Sequence, residues 1–261
     1  MTWIDTAAEL RDARVPAVLV TLASVRGHAP REAGAKLIVT AEDLHGTIGG
    51  GNLEMTAVTR ARELLAETST EPEVLTLRLN DKAPAKYGRQ CCGGEVTVLF
   101  EPLPVPTTVA VFGIGNIGLE LARVLGRQDI ELELTDSRPD YLAELDQLEP
   151  PVARIKRNCA VAGEQVVNAL PAGSHVLIMT HDHAEDLFLC DAALRHGELG
   201  SIGLIGSNAK WQRFRKNLIA EGHQAEAVDT IDCPIGLPDL PGKEPASIAV
   251  SVAAGLLHRM A

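Results

Sequence analysis

The sequence predicts an α/β protein built from an N-terminal α+β module followed by a Rossmann-like doubly wound parallel sheet domain. Three observations carry this. From Thr107 onward, apolar β-type runs alternate with helical segments, a pattern that demands a parallel sheet with helices on its faces. The first strand-to-helix turn of that half holds Gly113, Gly115 and Gly118 in G-x-G-x-x-G register, and Asp136 closes the next strand 23 residues after Gly113. The first hundred residues instead alternate like antiparallel strands, and "EPLPVPTT" separates the halves. Two domains follow, 1–103 and 107–261, with a hinge expected at 102–106.

Taken in order, "PAVLVTLASV" (16–25) and "AKLIVTA" (35–41) read as strands joined by the turn-rich "RGHAPREAG". After "GTIGGG", the stretch "NLEMTAVTRARELLAE" spaces Leu53, Val58, Ala61, Leu64 and Leu65 along one helical face, with Asn52 as the expected N-cap. "EVLTLRL" and "EVTVLFEPL" alternate as strands. In the second half come "TVAVFG", a helix over about 116–127, "IELELTD", a helix near Tyr141, "HVLIMT", a helix over 185–195, "GSIGLIG" and the helix "AKWQRFRKNLIAEG". With strands ordered 3-2-1-4-5, the turn bearing His181 faces the Gly113 turn across the ligand crevice of such sheets.

Composition narrows the function. The chain has 261 residues, 24 Lys and Arg against 35 Asp and Glu, and a net charge of -11, so its field repels nucleic acid and anionic membrane. No apolar run approaches the ~20 residues that cross a bilayer, and the opening "MTWIDTAAELRDARVP" carries acids where a leader would be apolar. A soluble, cytoplasmic protein is expected. Five cysteines without zinc-like pairing suit reduced thiols.

Several stretches carry candidate chemistry. At the Gly113 loop, the glycines permit a tight turn and close approach of backbone to a phosphate, and the Asp136 carboxylate is placed for ribose hydroxyls. Gly206, Ser207 and Asn208 open a helix that offers amides, a hydroxyl and Lys210 to an anion, while Arg213, Arg215 and Lys216 read as a solvated face. His181 and His183 in "HDHAED" suit ligand binding or proton transfer, capping of the turn, or, given distant ligands, a metal. Cys91 and Cys92 stand before Gly93 and Gly94, where a thiol could be a nucleophile, a sulfur carrier or a soft ligand, or lie inert beside a glycine bulge. The triple glycine 49–51 looks like a second phosphate cradle.

Together, "GHAPREAGAKLIV", "GTIGGGNLE", "CGGEVTVLFEP", "VAVFGIGNIGLELARVL", "MTHDHAEDL", "IGLIGSNAKWQRFR" and "PIGL" followed by "EPASIAVSVAAGLL" resemble the successive signatures of the xanthine dehydrogenase accessory proteins, the XdhC family, over nearly the whole chain. The resemblance implies a molybdenum cofactor chaperone, an insertion factor rather than a catalyst with its own turnover. It would bind molybdopterin or its dinucleotide form, keep it while a cysteine desulfurase exchanges an oxo ligand for sulfur, and deliver it to a xanthine dehydrogenase-type apoenzyme, as a homodimer. Residue by residue, the Cys-Gly-Gly motif falls on Cys92, Gly93 and Gly94, leaving Cys91 as an extra thiol. The triple-glycine motif and its acid fall on Gly49, Gly50, Gly51 and Glu54, and the Ala-Pro-Arg turn on Ala29, Pro30 and Arg31. The closing segment departs from the pattern: "PDLPGKEP" and Gly255 stand where the family has Asp-Ile-Gly-Ala and a late Glu.

Two glycine cradles suit one ligand with two ends, held between the domains away from solvent, or two ligands, with NAD(P) or another nucleotide at the Gly113 loop. Two other classes stay open on the residues: an NAD(P)-dependent oxidoreductase using His181 or His183 as acid and base, and a thiol-based regulator.

Overall fold

The structure, a computed structural model, describes residues 2–79, 93–160, 162–240 and 242–260. It divides into two compact units, Met1–Pro106 and Thr107–Ala261.

In the first unit, α1 (Trp3–Asp12) starts from a capping box: the Asp5 amide donates to the Thr2 hydroxyl, and the Thr2 amide to the Asp5 carboxylate. Strands β1 (Ala17–Arg26), β2 (Lys36–Val39), β3 (Leu44–Gly46), β4 (Glu73–Arg78) and β5 (Glu95–Leu103) form an antiparallel sheet in the order β3-β2-β1-β5-β4. α2 (Gly51–Ala66) buries Leu53, Ala57, Val58, Ala61 and Leu64 against Val18, Val20, Leu22, Val98 and Phe100 on one sheet face. Each such side chain taken from water is worth about 1.5–3 kcal/mol for the larger apolar types. The opposite face, with Ala17, Leu19 and Ile38, receives Ala7 and Leu10 of α1. The expected Asn52 cap is not used. Helix α2 begins two residues earlier than that cap implies, behind Gly50 and without a side-chain cap, and Glu54 in its first turn reaches back to the loop amides. β5 also runs through Glu101–Leu103, into the stretch expected to be linker.

The second unit runs β6 (Thr108–Phe112), α3 (Asn116–Leu125), β7 (Glu131–Asp136), α4 (Pro139–Ala143) with a 3-10 turn Glu144–Gln147, β8 (Arg154–Cys159), α5 (Glu164–Asn168), β9 (His175–Ile178), α6 (His183–His196), β10 (Ser201–Leu204), α7 (Asn208–Ala220), α8 (Ala225–Val228), β11 (Ile231–Asp232) and α9 (Pro245–Met260). All six strands are parallel, ordered β11-β10-β9-β6-β7-β8. The anticipated 3-2-1-4-5 order is present, extended by β11. Fully buried β6 has α3 and α9 over one face and α5, α6 and α7 over the other, giving two cores. At the far edge β8 alternates no apolar face. Its Arg154, Lys156 and Asn158 pair across to Glu131 and Glu133 of β7, and Arg157 pairs with Asp146.

Among the described residues no helix is long and apolar enough to cross a membrane.

Candidate functional site

In the second unit the order of strand addition reverses at β6, so the turns after β6 and β9 lie side by side. The Met179 amide donates to the Phe112 carbonyl at 2.8 Å. The three fingerprint glycines then separate by what a side chain would meet. A Cβ on Gly113, where φ is +101°, would lie 2.4 Å from the Met179 carbonyl oxygen, and one on Gly118 would lie 2.2 Å from the Gly113 carbonyl oxygen. Both are explained by the packing of the chain on itself. Gly115 is not: a Cβ there meets nothing within 4 Å, and the residue stands at the start of α3 with no side-chain cap. Its open backbone, beside amides of α3 that no helical carbonyl can satisfy, is what a ligand would approach.

Asp136 closes β7 as the pattern anticipates, and its carboxylate is engaged within the chain. Its Oδ2 accepts from the Ile114 amide at 2.7 Å and from Arg138 Nη2 at 2.9 Å, and its Oδ1 accepts from the amide and Nε of Arg138, both at 2.9 Å. Burial alone would raise this carboxyl, but the Arg138 side chain and the two amides outweigh it and hold it below the usual carboxylate range. The guanidinium carbon in turn lies 3.7 Å from the centre of the Tyr141 ring. Asp136 therefore anchors an arginine and staples the glycine loop rather than standing free for a ribose. The sequence reading passed over Arg138, although an arginine two residues past a strand-ending acid and just before the proline of the next helix was a usable signal.

Across the crevice, Asp186 is fully buried. Its Oδ1 accepts from the amide and hydroxyl of Thr180, and its Oδ2 from Lys210 Nζ at 2.5 Å. Lys210 also donates to the Ile205 carbonyl at 2.8 Å. The amine expected to meet an anion is thus committed to an internal pair that ties the turn after β9 to the turn after β10. Ser207 likewise uses its hydroxyl to cap its own helix through the Lys210 amide, and Asn208 is exposed in the first turn. Arg215 pairs with Asp229. His181 is exposed, while His183 Nδ1 lies 3.2 Å from Arg213 Nη2, so Arg213 is not simply solvated. The cap of α6 is Asp182, taking the amides of Ala184 and Glu185. Glu185, also overlooked in the sequence, has its carboxyl pushed up by burial, with Asp186 and Asp136 adding to the effect. Among the described residues no three His, Cys, Asp or Glu side chains are grouped to hold a metal.

In the first unit the loop of three glycines has positive φ throughout: +125° at Gly49, +68° at Gly50 and +63° at Gly51. L-residues would resist that path, and the run is needed for the turn itself. Loop amides expected to cradle a phosphate have a partner within the chain. The amides of Ile48 and Gly50, with the Thr47 hydroxyl, all donate to Glu54 Oε2. Burial works against this carboxylate, and the bonds from Thr47 and the loop amides more than offset it, leaving its pKa lowered. The cradle holds the chain's own acid. What the fold does bring together is the three motifs. A Cβ on Gly49 would stand 2.6 Å from Cβ of Pro30 and 3.4 Å from Cγ of Arg31, and one on Gly94 would stand 2.2 Å from the His28 carbonyl oxygen. His28 bridges to Gly93, where a Cβ would meet only open space. Cys91 and Cys92 lie outside the described residues.

A groove of about 610 Å³ elsewhere in the second unit is lined by Arg123, Arg127 and Arg157, each already facing an acid.

Residues 109–256 match the model of the XdhC Rossmann domain, and residues 10–78 that of the XdhC and CoxI family. A curated relative, the uncharacterized protein YqeB of Escherichia coli (strain K12), is 23% identical over 258 residues, covering 99% of this chain and 46% of that one. The chain thus spans about half the length of that relative. Among solved structures, one described as a xanthine dehydrogenase from Bacillus halodurans is similar with a TM-score of 0.50 and 19% identity, over 100% of this chain and 96% of that one. At that identity the likeness is one of fold.

Proposed function

Since the chain belongs to the XdhC family, we propose that it serves the maturation of a xanthine dehydrogenase-type enzyme by holding the molybdenum cofactor, as molybdopterin or its dinucleotide form, and passing it to the apoenzyme. The observation that carries the reading is the open backbone at Gly115, in a loop that Asp136 ties to Arg138, and the one place in the fingerprint where the chain's own packing does not require glycine. The cofactor carries a phosphate, and amides at the start of α3 with a fixed guanidinium are donors suited to it. In the first unit, the Pro30–Arg31 turn packs against the loop organised by Glu54, and His28, at the start of that turn, bridges to Gly93. Family resemblance assigns the sulfur-handling thiol to Cys92. The bound group would supply the redox-active molybdenum, and this chain's residues would orient it and limit its exposure. A cysteine desulfurase as second partner and a homodimeric state belong to the same proposal.

The NAD-linked form of the oxidoreductase reading loses support, because the acid that would take a ribose diol is occupied by Arg138.

The test is native mass spectrometry of protein purified without oxygen from a molybdate-replete host, with activation of an apo-dehydrogenase as the second readout. The proposal expects a retained pterin mass in the wild type, and weaker retention of the sulfurated form after Cys92→Ser than after Cys91→Ser. Wild-type protein that carries no pterin and activates no apoenzyme would refute it.

A further inference from the structure

The carboxylate ending the second strand of a nucleotide-binding sheet ordinarily accepts the hydroxyls of a ribose. An ionised carboxylate offers about four lone-pair directions. At Asp136 all are addressed from within the chain, by the Ile114 amide and by the amide, Nε and Nη2 of Arg138. Its side chain is 3% exposed, against 30% for Arg138. The fork contact fixes the plane of the guanidinium, and Tyr141 supports one face of it at 3.7 Å. Of an arginine's five N–H donors, the bonds to the Asp136 side chain use two, so those on Nη1 and one on Nη2 remain, on edges turned away from Asp136. The same carboxylate holds the Ile114 amide, so this arginine and the Gly115 loop are fixed to one anchor.

We propose that the Asp136–Arg138 pair sets the ligand class of the second unit: its crevice accepts a ligand that presents a phosphate monoester to Arg138 and discriminates against one that presents an unsubstituted ribose diol. This rests on the reading that the Gly115 loop holds a ligand, and deepens it. A diol brings two O–H donors, and Asp136 could accept them only by releasing Arg138 or the loop amide, leaving a buried polar group short of a partner. A phosphate monoester brings acceptors alone and meets the spare guanidinium donors in a geometry that suits them.

The required chemistry occurs in two sources, the 2′-phosphate of an NADP-type nucleotide and the phosphate of a pterin. Calorimetric titration of the full chain with two matched pairs separates them: NADP against NAD, and a pterin alkyl phosphate against its free alcohol. Wild-type protein is expected to prefer the phosphorylated member of at least one pair by tenfold or more. Arg138→Ala should bring that ratio to within about twofold, and Arg138→Lys, which keeps charge but not the fork, should leave an intermediate value. Thermal melts of each variant establish that it is folded. Equal affinity within both pairs, no binding of either pair, or a preference that survives Arg138→Ala in folded protein would overturn the inference. A response confined to the nucleotide pair would uphold it while counting against cofactor holding at this loop.

Discussion

Asp186 and Lys210 form an ion pair almost wholly withdrawn from water, at 0% and 8% side-chain exposure. Removing one partner from such a pair strands a charge and typically costs about 3–5 kcal/mol. Lys210→Met should therefore lower the unfolding free energy by that amount in urea titration, and Asp186→Asn by somewhat less because the amide oxygen can still accept from Thr180. Replacing both by apolar residues should recover much of the loss. The glycines make a sharper contrast. Gly113→Ala forces a Cβ against the Met179 carbonyl at a positive φ, and should destabilise by about 2 kcal/mol or more. Gly115→Ala meets open space at an ordinary φ of -73° and should leave the melting temperature within a degree or two while weakening any bound phosphate ligand. Calorimetric melts and titrations on the same two proteins check both halves. At this scale the sequence was legible only as residue type. It marked all three glycines alike, because the fingerprint records that a side chain is excluded and not what excludes it. It likewise offered Lys210 to a ligand, because its buried partner Asp186 is invisible until the turns after β9 and β10 are known to be neighbours, whereas the partner of Asp136 stands only two residues along the chain.

Among elements, those governed by local period agree with the structure: β1, β2, β4 and β5 of the first unit, buried β6, and the helices after the glycine loops. Those missed have physical reasons. Edge strand β8 pairs on one side only and carries "RIKRNC", so neither its faces nor its composition give an apolar alternation. β11 spans two residues, and among the described residues it pairs with β10 alone. Asn52 has the residue type of a cap, but the acid two positions on, Glu54, takes the loop amides and the helix starts behind Gly50. That acid gives a pH prediction with a definite sign. Glu54 has a lowered folded pKa, so the loop-to-α2 junction gains stability above the unfolded value of about 4.3 and loses it as pH falls through the folded value. Glu185 has a raised one, so its contribution is complete in acid and lost as pH rises through its folded pKa. Glu54→Gln should flatten the acid limb of the stability profile and lower stability at pH 7, whereas Glu185→Gln should leave the acid limb intact and slightly raise stability at pH 7. Urea midpoints from pH 3 to 7 provide the measurement.

For the whole molecule, the net charge of -11 bears on encounters. If the proposed partners present basic faces, association should be fast at low ionic strength and several-fold slower near 0.5 M salt, with the off-rate less affected, since steering of this kind changes on-rates by about 10- to 1000-fold. Stopped-flow mixing across a salt series reads it, and an on-rate flat with salt would leave the charge to solubility alone. The two-unit plan was visible in the change of pattern at residue 107, because antiparallel and parallel sheets demand different spacings between strands. The order of strands in the second sheet followed from chain rules rather than from any residue. The basic side chains of β8, laid across the acids of β7, have a further consequence at this scale. An unguarded sheet edge is a template on which a second molecule can add a strand, and cations along the edge make that addition unfavourable. Exchanging Arg154 and Lys156 for threonine should leave the folded monomer's spectrum unchanged yet shorten the lag before turbidity in concentrated stocks. The ladder would then govern shelf life, a property of the population rather than of the single molecule.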